Sequence, residues 1–141
     1  MEYTTNQILS LISHIHTQTQ EFTNSRLSEQ GDYVSSHGFI LYLLSVEGEL
    51  TFGELTQRIN RDKSTTTSLV KKLEEKGLVQ IKKNPADSRI KMVSLTKEGE
   101  KLNSLTTKIS EELISSSLKD FTEEEKNTLL SLLIKLSGNI Q

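Results

Sequence analysis

The stretch Thr51–Leu95, TFGELTQRINRDKSTTTSLVKKLEEKGLVQIKKNPADSRIKMVSL, decides the fold. It opens on Thr51-Phe52-Gly53-Glu54, a capping box in which the threonine hydroxyl accepts from the third helical N–H and the glutamate reaches back. A short helix follows, with Leu55 and Ile59 facing inward. Asn60-Arg61-Asp62 interrupts it, and Asp62 is placed to cap a second helix over Lys63–Lys76, which Gly77 closes in the C′ position. Two short helices across a polar turn suit a helix-turn-helix. Leu78–Lys83 and Ile90–Leu95 are rich in β-branched and apolar residues, and the polar turn Asn84–Arg89 between them holds the only proline. That pattern predicts a β-hairpin directly after the second helix. The fold class is therefore mainly α with a small β-hairpin: a winged helix-turn-helix.

Outside this stretch the pattern is helical. Ile8, Ile12, Ile15, Thr19 and Phe22 recur at spacings of four and three, a narrow seam that needs something to pack on. Gln30-Gly31-Asp32 breaks it. A helix over Ser35–Val46 carries Phe39-Ile40-Leu41-Tyr42-Leu43-Leu44, apolar nearly all round, which predicts a central, buried element ending at Gly48. Thr96 caps a long helix with Leu102, Leu105, Ile109 and Leu113 on one side. Thr122–Glu125 is a further capping box, opening a last helix striped by Leu129, Leu132, Leu133 and Leu136.

At 141 residues the chain fits a single domain. Its 33% apolar content is thin for a monomeric core and suits helices that bury apolar surface against a partner. No run reaches the length of a membrane span, and MEYTTNQILS has no export-signal pattern, so a cytoplasmic protein is expected. The absence of cysteine removes disulfides and thiol chemistry.

The net charge of −2 hides a segregation. Thr51–Lys97 carries eleven bases against five acids, a local charge of +6, while the remainder carries six bases against fourteen acids, or −8. A phosphate-binding module between acidic segments produces this asymmetry. On a helical wheel Thr66, Leu69, Val70 and Leu73 form the buried stripe of the second short helix. Its opposite face shows Ser64, Thr65, Thr67, Ser68, Lys71 and Lys72. Three threonines and two serines are not a choice made for helix propensity. Short hydroxyl side chains let a backbone approach base edges, and lysines one turn on neutralise phosphates. A plain exposed helix would tolerate the same hydroxyls; the flanking charge favours insertion into a groove. In the hairpin, Arg89 is placed to enter a narrow minor groove, with Asp87 orienting it by pairing either with Arg89 itself or with Arg61.

These residues resemble the MarR family (multiple-antibiotic-resistance regulators). The likeness covers SSHGFILYLLSVEGELTFGELTQRINRDKSTTTSLVKKLEEKGLVQIKKNPADSRIKMVSLTKEG, Ser35–Gly99. Its most specific pieces are Asp62–Thr67 running into Leu73–Val79, Asp87-Ser88-Arg89, and Leu95–Gly99. The resemblance implies a two-fold dimer whose first and last helices interlock. Each copy would set its recognition helix in the major groove and its wing arginine in the minor groove of a pseudo-palindromic operator in double-stranded DNA. It also implies repression relieved by a small, often phenolic or otherwise anionic, ligand near the junction of the dimer helices and the winged helix. Residues 35–97 would be the DNA-binding lobe, and residues 1–30 and 98–141 the dimerisation lobe, of one domain spanning 1–141.

The expected DNA contacts are Thr51, Arg61, Lys63, Ser64, Thr65, Thr67, Ser68, Lys71, Lys72, Arg89 and Lys91, with Asp87 orienting the wing. His14, His37, Phe39 and Tyr42 are the candidates for an effector pocket. No catalytic residue, cofactor or metal is expected: there is no nucleophile elbow and no glycine-rich phosphate loop. His14 and His16, two apart on a helix, point in different directions and do not chelate one metal. The family's peroxide-sensing branch uses a cysteine that this chain lacks. A winged helix that docks on another protein is the competing class; it would need an apolar or acidic recognition face rather than hydroxyls and lysines.

Overall fold

A computed structural model describes residues 2–140. Six α-helices and a three-stranded sheet follow in the order α1 (Ile8–Leu27), α2 (Ser35–Glu47), β1 (Glu49–Thr51), α3 (Phe52–Ile59), α4 (Lys63–Glu75), β2 (Val79–Lys83), β3 (Lys91–Leu95), α5 (Lys97–Ser117) and α6 (Glu123–Gly138). The expected caps form. Thr51 Oγ1 accepts from Glu54 N–H at 3.1 Å, Asp62 Oδ1 from Thr65 N–H at 2.7 Å, Thr96 Oγ1 from Gly99 N–H at 3.1 Å and Thr122 Oγ1 from Glu125 N–H at 3.0 Å. Each satisfies a donor that the first turn of a helix leaves unpaired.

The hairpin β2–β3 is antiparallel, with Ile81 opposite Val93. A third strand, absent from the sequence reading, pairs on its other side: β1 sets Leu50 opposite Val93, giving the order β1-β3-β2. Three residues are too few to show an alternating pattern. Strand β1 exists because β3, forty residues on, offers it a free edge.

The core runs from Ile40, Leu41 and Leu44 of α2 through Leu50, Leu55, Val70 and Leu73 to Val79 and Val93. Two features bear on function, and the first departs from expectation. Helix α2 is buried on one face only; Phe39, Tyr42 and Val46 are 44%, 50% and 64% exposed. The core residues Ile40, Leu41 and Leu44 share one side of the helix, and Phe39, Tyr42 and Val46, at spacings of three and four, share another. Among the described residues, helix α6 has no extensive packing against any other element, and four of its leucines stand in solvent, with Leu132 at 58% and Leu130 at 59%. At the other end of the fold the chain closes tightly: a Cβ on Gly99 would lie 2.0 Å from the Leu78 carbonyl oxygen, so only glycine lets α5 start against β2.

Candidate nucleic-acid interface

The helix-turn-helix is held from both sides. Arg58 of α3 makes a bidentate pair with Glu47 at the end of α2, at 2.6 and 2.7 Å. Asn60 turns the chain through the left-handed region at φ 54°, a conformation asparagine tolerates better than most residues. The backbone N–H of Thr65 holds the Asp62 carboxyl below the usual carboxylate range, so the cap stays charged at neutral pH. The start of α4 is thereby fixed by local chemistry.

Along α4, Thr66, Val70 and Leu73 are buried and Leu69 is half-buried, as the wheel predicts. Ser64, Ser68 and Lys71 are exposed together on the opposite face. Thr65 and Thr67 sit at its margins, half-buried, and the Thr67 hydroxyl donates to the Lys63 carbonyl at 2.8 Å. Lys72 departs from expectation. It turns from this face to Asp32 in the α1–α2 link, Nζ 2.9 Å from Oδ2, and also donates to the Asp32 carbonyl oxygen. Its position on the wheel, a full 100° step beyond Lys71, lets the long side chain take either side, and the carboxylate decides.

The wing is built to present one side chain. Asn84 Oδ1 accepts from Ala86 N–H at 2.8 Å, and Asn84 N–H donates to the Ile90 carbonyl at 2.8 Å, closing the turn. Asp87 then takes Arg89 in three contacts of 3.0 Å: its Oδ1 accepts from the backbone N–H and Nε, and its Oδ2 accepts from a terminal guanidinium nitrogen. The arginine is nonetheless 88% exposed. Pairing holds the Asp87 carboxyl below its ordinary range and raises the guanidinium above its own. Of the two pairings open to Asp87, the one with Arg89 forms.

Two clefts flank the hydroxyl face of α4. One, of about 710 Å³, brings Lys63, Arg89 and Lys91 together with the capped start of α3 at Thr51. The other, of about 440 Å³, gathers Thr67, Lys71, Lys82, Lys83 and Lys91. Phe52 lines both, although in the sequence it stands out only as part of a cap. Lys83 and Lys91 are direct cross-strand partners. Like charges in that position oppose folding and are relieved when an anion lies between them. Arg61 is exposed at the turn before α4.

The four effector candidates do not converge. Phe39 and Tyr42 stack at 6.4 Å between centroids and line a cavity between α1, α2 and α5. His37 is buried elsewhere, its Nδ1 accepting from Val34 N–H at 3.0 Å and its ring edge-on to Tyr33. It caps α2 and lines no cavity wall beside Phe39. His14 is exposed on α1, away from that cavity. A capping role was open to His37 in the sequence, since residue three of a helix after an extended residue is the position that reaches back.

The family model described as "MarR family" matches residues 35–91. An HTH-type transcriptional regulator of Bacillus subtilis, YwoH, is 33% identical over 136 residues, covering 94% of this chain and 95% of YwoH. The chain belongs to the MarR family. A second B. subtilis relative, the HTH-type regulator YdgJ, is 31% identical over 101 residues; the match spans 72% of this chain and 62% of YdgJ. Among solved structures, that of S. aureus MepR bound to DNA superposes with a TM-score of 0.84 at 27% identity, over 99% of this chain and all of the other. This MarR-family protein is thus a DNA-binding transcription regulator with a winged helix. Among its described residues no helix is long and apolar enough to cross a membrane, and no group of three metal-ligating side chains gathers.

Proposed function

We propose that this MarR-family regulator works as a homodimer on a pseudo-palindromic operator, repressing transcription until a small organic ligand releases it. In this reading α4 enters the major groove with Ser64, Thr65, Thr67 and Ser68 toward base edges. Lys63, Lys71 and Lys91 meet phosphates, Thr51 and Arg61 flank them, and Arg89 enters the adjacent minor groove. The observation that carries the reading is Arg89: an arginine almost wholly exposed, yet fixed by three bonds to Asp87, beside a cleft lined by two lysines. A minor groove attracts such a guanidinium through its negative potential.

Dimerisation is supported by α6, whose row of exposed leucines has no extensive packing partner among the described residues. With α1 and α5 it makes the lobe assigned to 1–30 and 98–141, while 35–97 reads DNA. Two-fold pairing sets two recognition helices one helical turn of DNA apart, or a multiple of it. The cavity between α1, α2 and α5 joins the two lobes, which makes it the place where a ligand can bias the spacing of the wings.

Selection of bound fragments from the source genome, followed by footprinting, tests the reading. Two symmetric half-sites in major grooves with protection of the flanking minor grooves are expected. A single asymmetric footprint contradicts the dimer reading, and loss of reporter expression on deleting the gene contradicts repression.

A further inference from the structure

The cavity between α1, α2 and α5 has a chemistry of its own. Its volume is about 460 Å³, inside the range of roughly 300–1,000 Å³ that small-molecule sites occupy. One wall is the stacked pair Phe39 and Tyr42, both half-exposed, with rings 18° from parallel. Leu27 and Ile114 add apolar surface. Apart from Gly38 and Glu111 the rest is hydroxyl: Thr23, Ser35, Thr106, Thr107 and Ser110. Among the described residues lining it, Glu111 alone is charged, and no Lys, Arg or His joins it.

The nearby bases do not change this balance. Arg26, one residue before Leu27, commits its guanidinium to Glu112 at 3.1 and 3.3 Å and rests over the Phe22 ring. His37, next to Gly38, is held neutral by burial until pH falls to about 4. Lys108 is exposed on α5 and is not among the residues that line the cavity. An anion placed here would find hydroxyls and a carboxylate but no positive partner.

We infer that this cavity takes a flat aromatic cation, with its ring against Phe39 and Tyr42 and its positive group toward Glu111, and not the anionic ligand that the family resemblance implies. Aromatic faces attract cations through the ring quadrupole, and the hydroxyl wall supplies acceptors for the N–H groups of an amidinium or arylammonium. The inference deepens the proposed ligand control and rests on that reading for its regulatory meaning, though not for the binding preference itself.

Three probes of nearly one shape separate the charges: naphthamidine as cation, naphthamide as neutral and naphthoate as anion. Calorimetric titration of the DNA-free, full-length protein is expected to show naphthamidine binding about tenfold or more tighter than naphthoate, because one carboxylate attracts the first and repels the second. Glu111→Gln, at an exposed position, is expected to close most of that gap, with a much smaller change in naphthamide affinity. Naphthoate binding as tightly as naphthamidine, a gap that survives Glu111→Gln, or no binding by any of the three overturns the inference. Operator binding is followed separately. If naphthamidine binds with the expected preference but leaves the operator complex intact, the inference stands and ligand-controlled release fails.

Discussion

Lys72 of the recognition helix is tied to Asp32 of the α1–α2 link, Nζ to Oδ2 at 2.9 Å, and lies 5.8 Å from the centroid of the Tyr33 ring. Tyr33 in turn packs edge-on against His37, the residue that caps α2. A lysine that looks like one more phosphate contact on a helical wheel thus ties α4 to the α1–α2 link. Lys71, one residue earlier, is exposed on the hydroxyl face of α4.

The two lysines therefore separate in a salt series. Lys71→Ala is expected to weaken binding to all sequences alike and to lower the log–log salt slope by about one. Lys72→Met is expected to leave the slope unchanged. Equal loss of slope from both would return Lys72 to the phosphate surface.

Arg89→Ala removes the side chain that Asp87 holds out. Operator affinity is expected to fall about tenfold to a hundredfold with the dimer intact. Asp87→Ala keeps the guanidinium but frees it, and a smaller loss is expected from it. Because pairing holds the Asp87 carboxyl below its ordinary range, acidification breaks this contact only well under neutral pH. Operator affinity unchanged in Arg89→Ala would remove the wing from recognition.

His37 sets a pH dependence of stability. In the unfolded chain its imidazole takes up a proton near pH 6.5; burial first, and the Lys72 charge second, depress this to about 4 in the folded chain. Between those values the unfolded state holds more protons, so stability falls as pH drops through the window and is regained above it. His37→Gln keeps an acceptor for the Val34 N–H and has no charge to gain. Thermal melts of this variant at about pH 5 and about pH 7 are expected to differ less than those of the parent. A parent melting temperature that rises on acidification would refute the assignment.

Gly99→Ala forces a methyl group onto the Leu78 carbonyl, with the Leu95 side chain 3.1 Å away on another side. Backbone on one side of the clash cannot yield as a flexible side chain would. A loss of about 1–3 kcal/mol is expected in chemical denaturation. A variant as stable as the parent would show that α5 can shift from β2 at no cost.

Leu132→Glu places a charge among the exposed leucines of α6. Sedimentation is expected to show a monomer or unfolded chain that no longer binds operator. An intact dimer would move the interface off α6.

Much of this architecture is legible in the sequence. Thr51, Asp62, Thr96 and Thr122 announce helix starts because a cap is a bond between residues three apart, and the hydroxyl face of α4 follows from one periodicity. What was hidden depends on distant partners. Strand β1 forms only against β3, and Lys72 finds its carboxylate forty residues away. The half-open face of α2 and the composition of the cavity depend on where α1 and α5 pack, which no local pattern in Phe39–Leu44 specifies. Residue type alone groups His14 and His37 with Phe39 and Tyr42, and the fold separates them.

The most direct test of the central claim is the affinity of the purified protein for its own upstream region, followed by fluorescence anisotropy from low to moderate salt. With six to ten phosphates held by a dimer, affinity is expected to fall by about three to five decades between roughly 50 and 200 mM salt, at two chains per duplex site. Binding that ignores salt, or none at all in dilute buffer, would contradict the account.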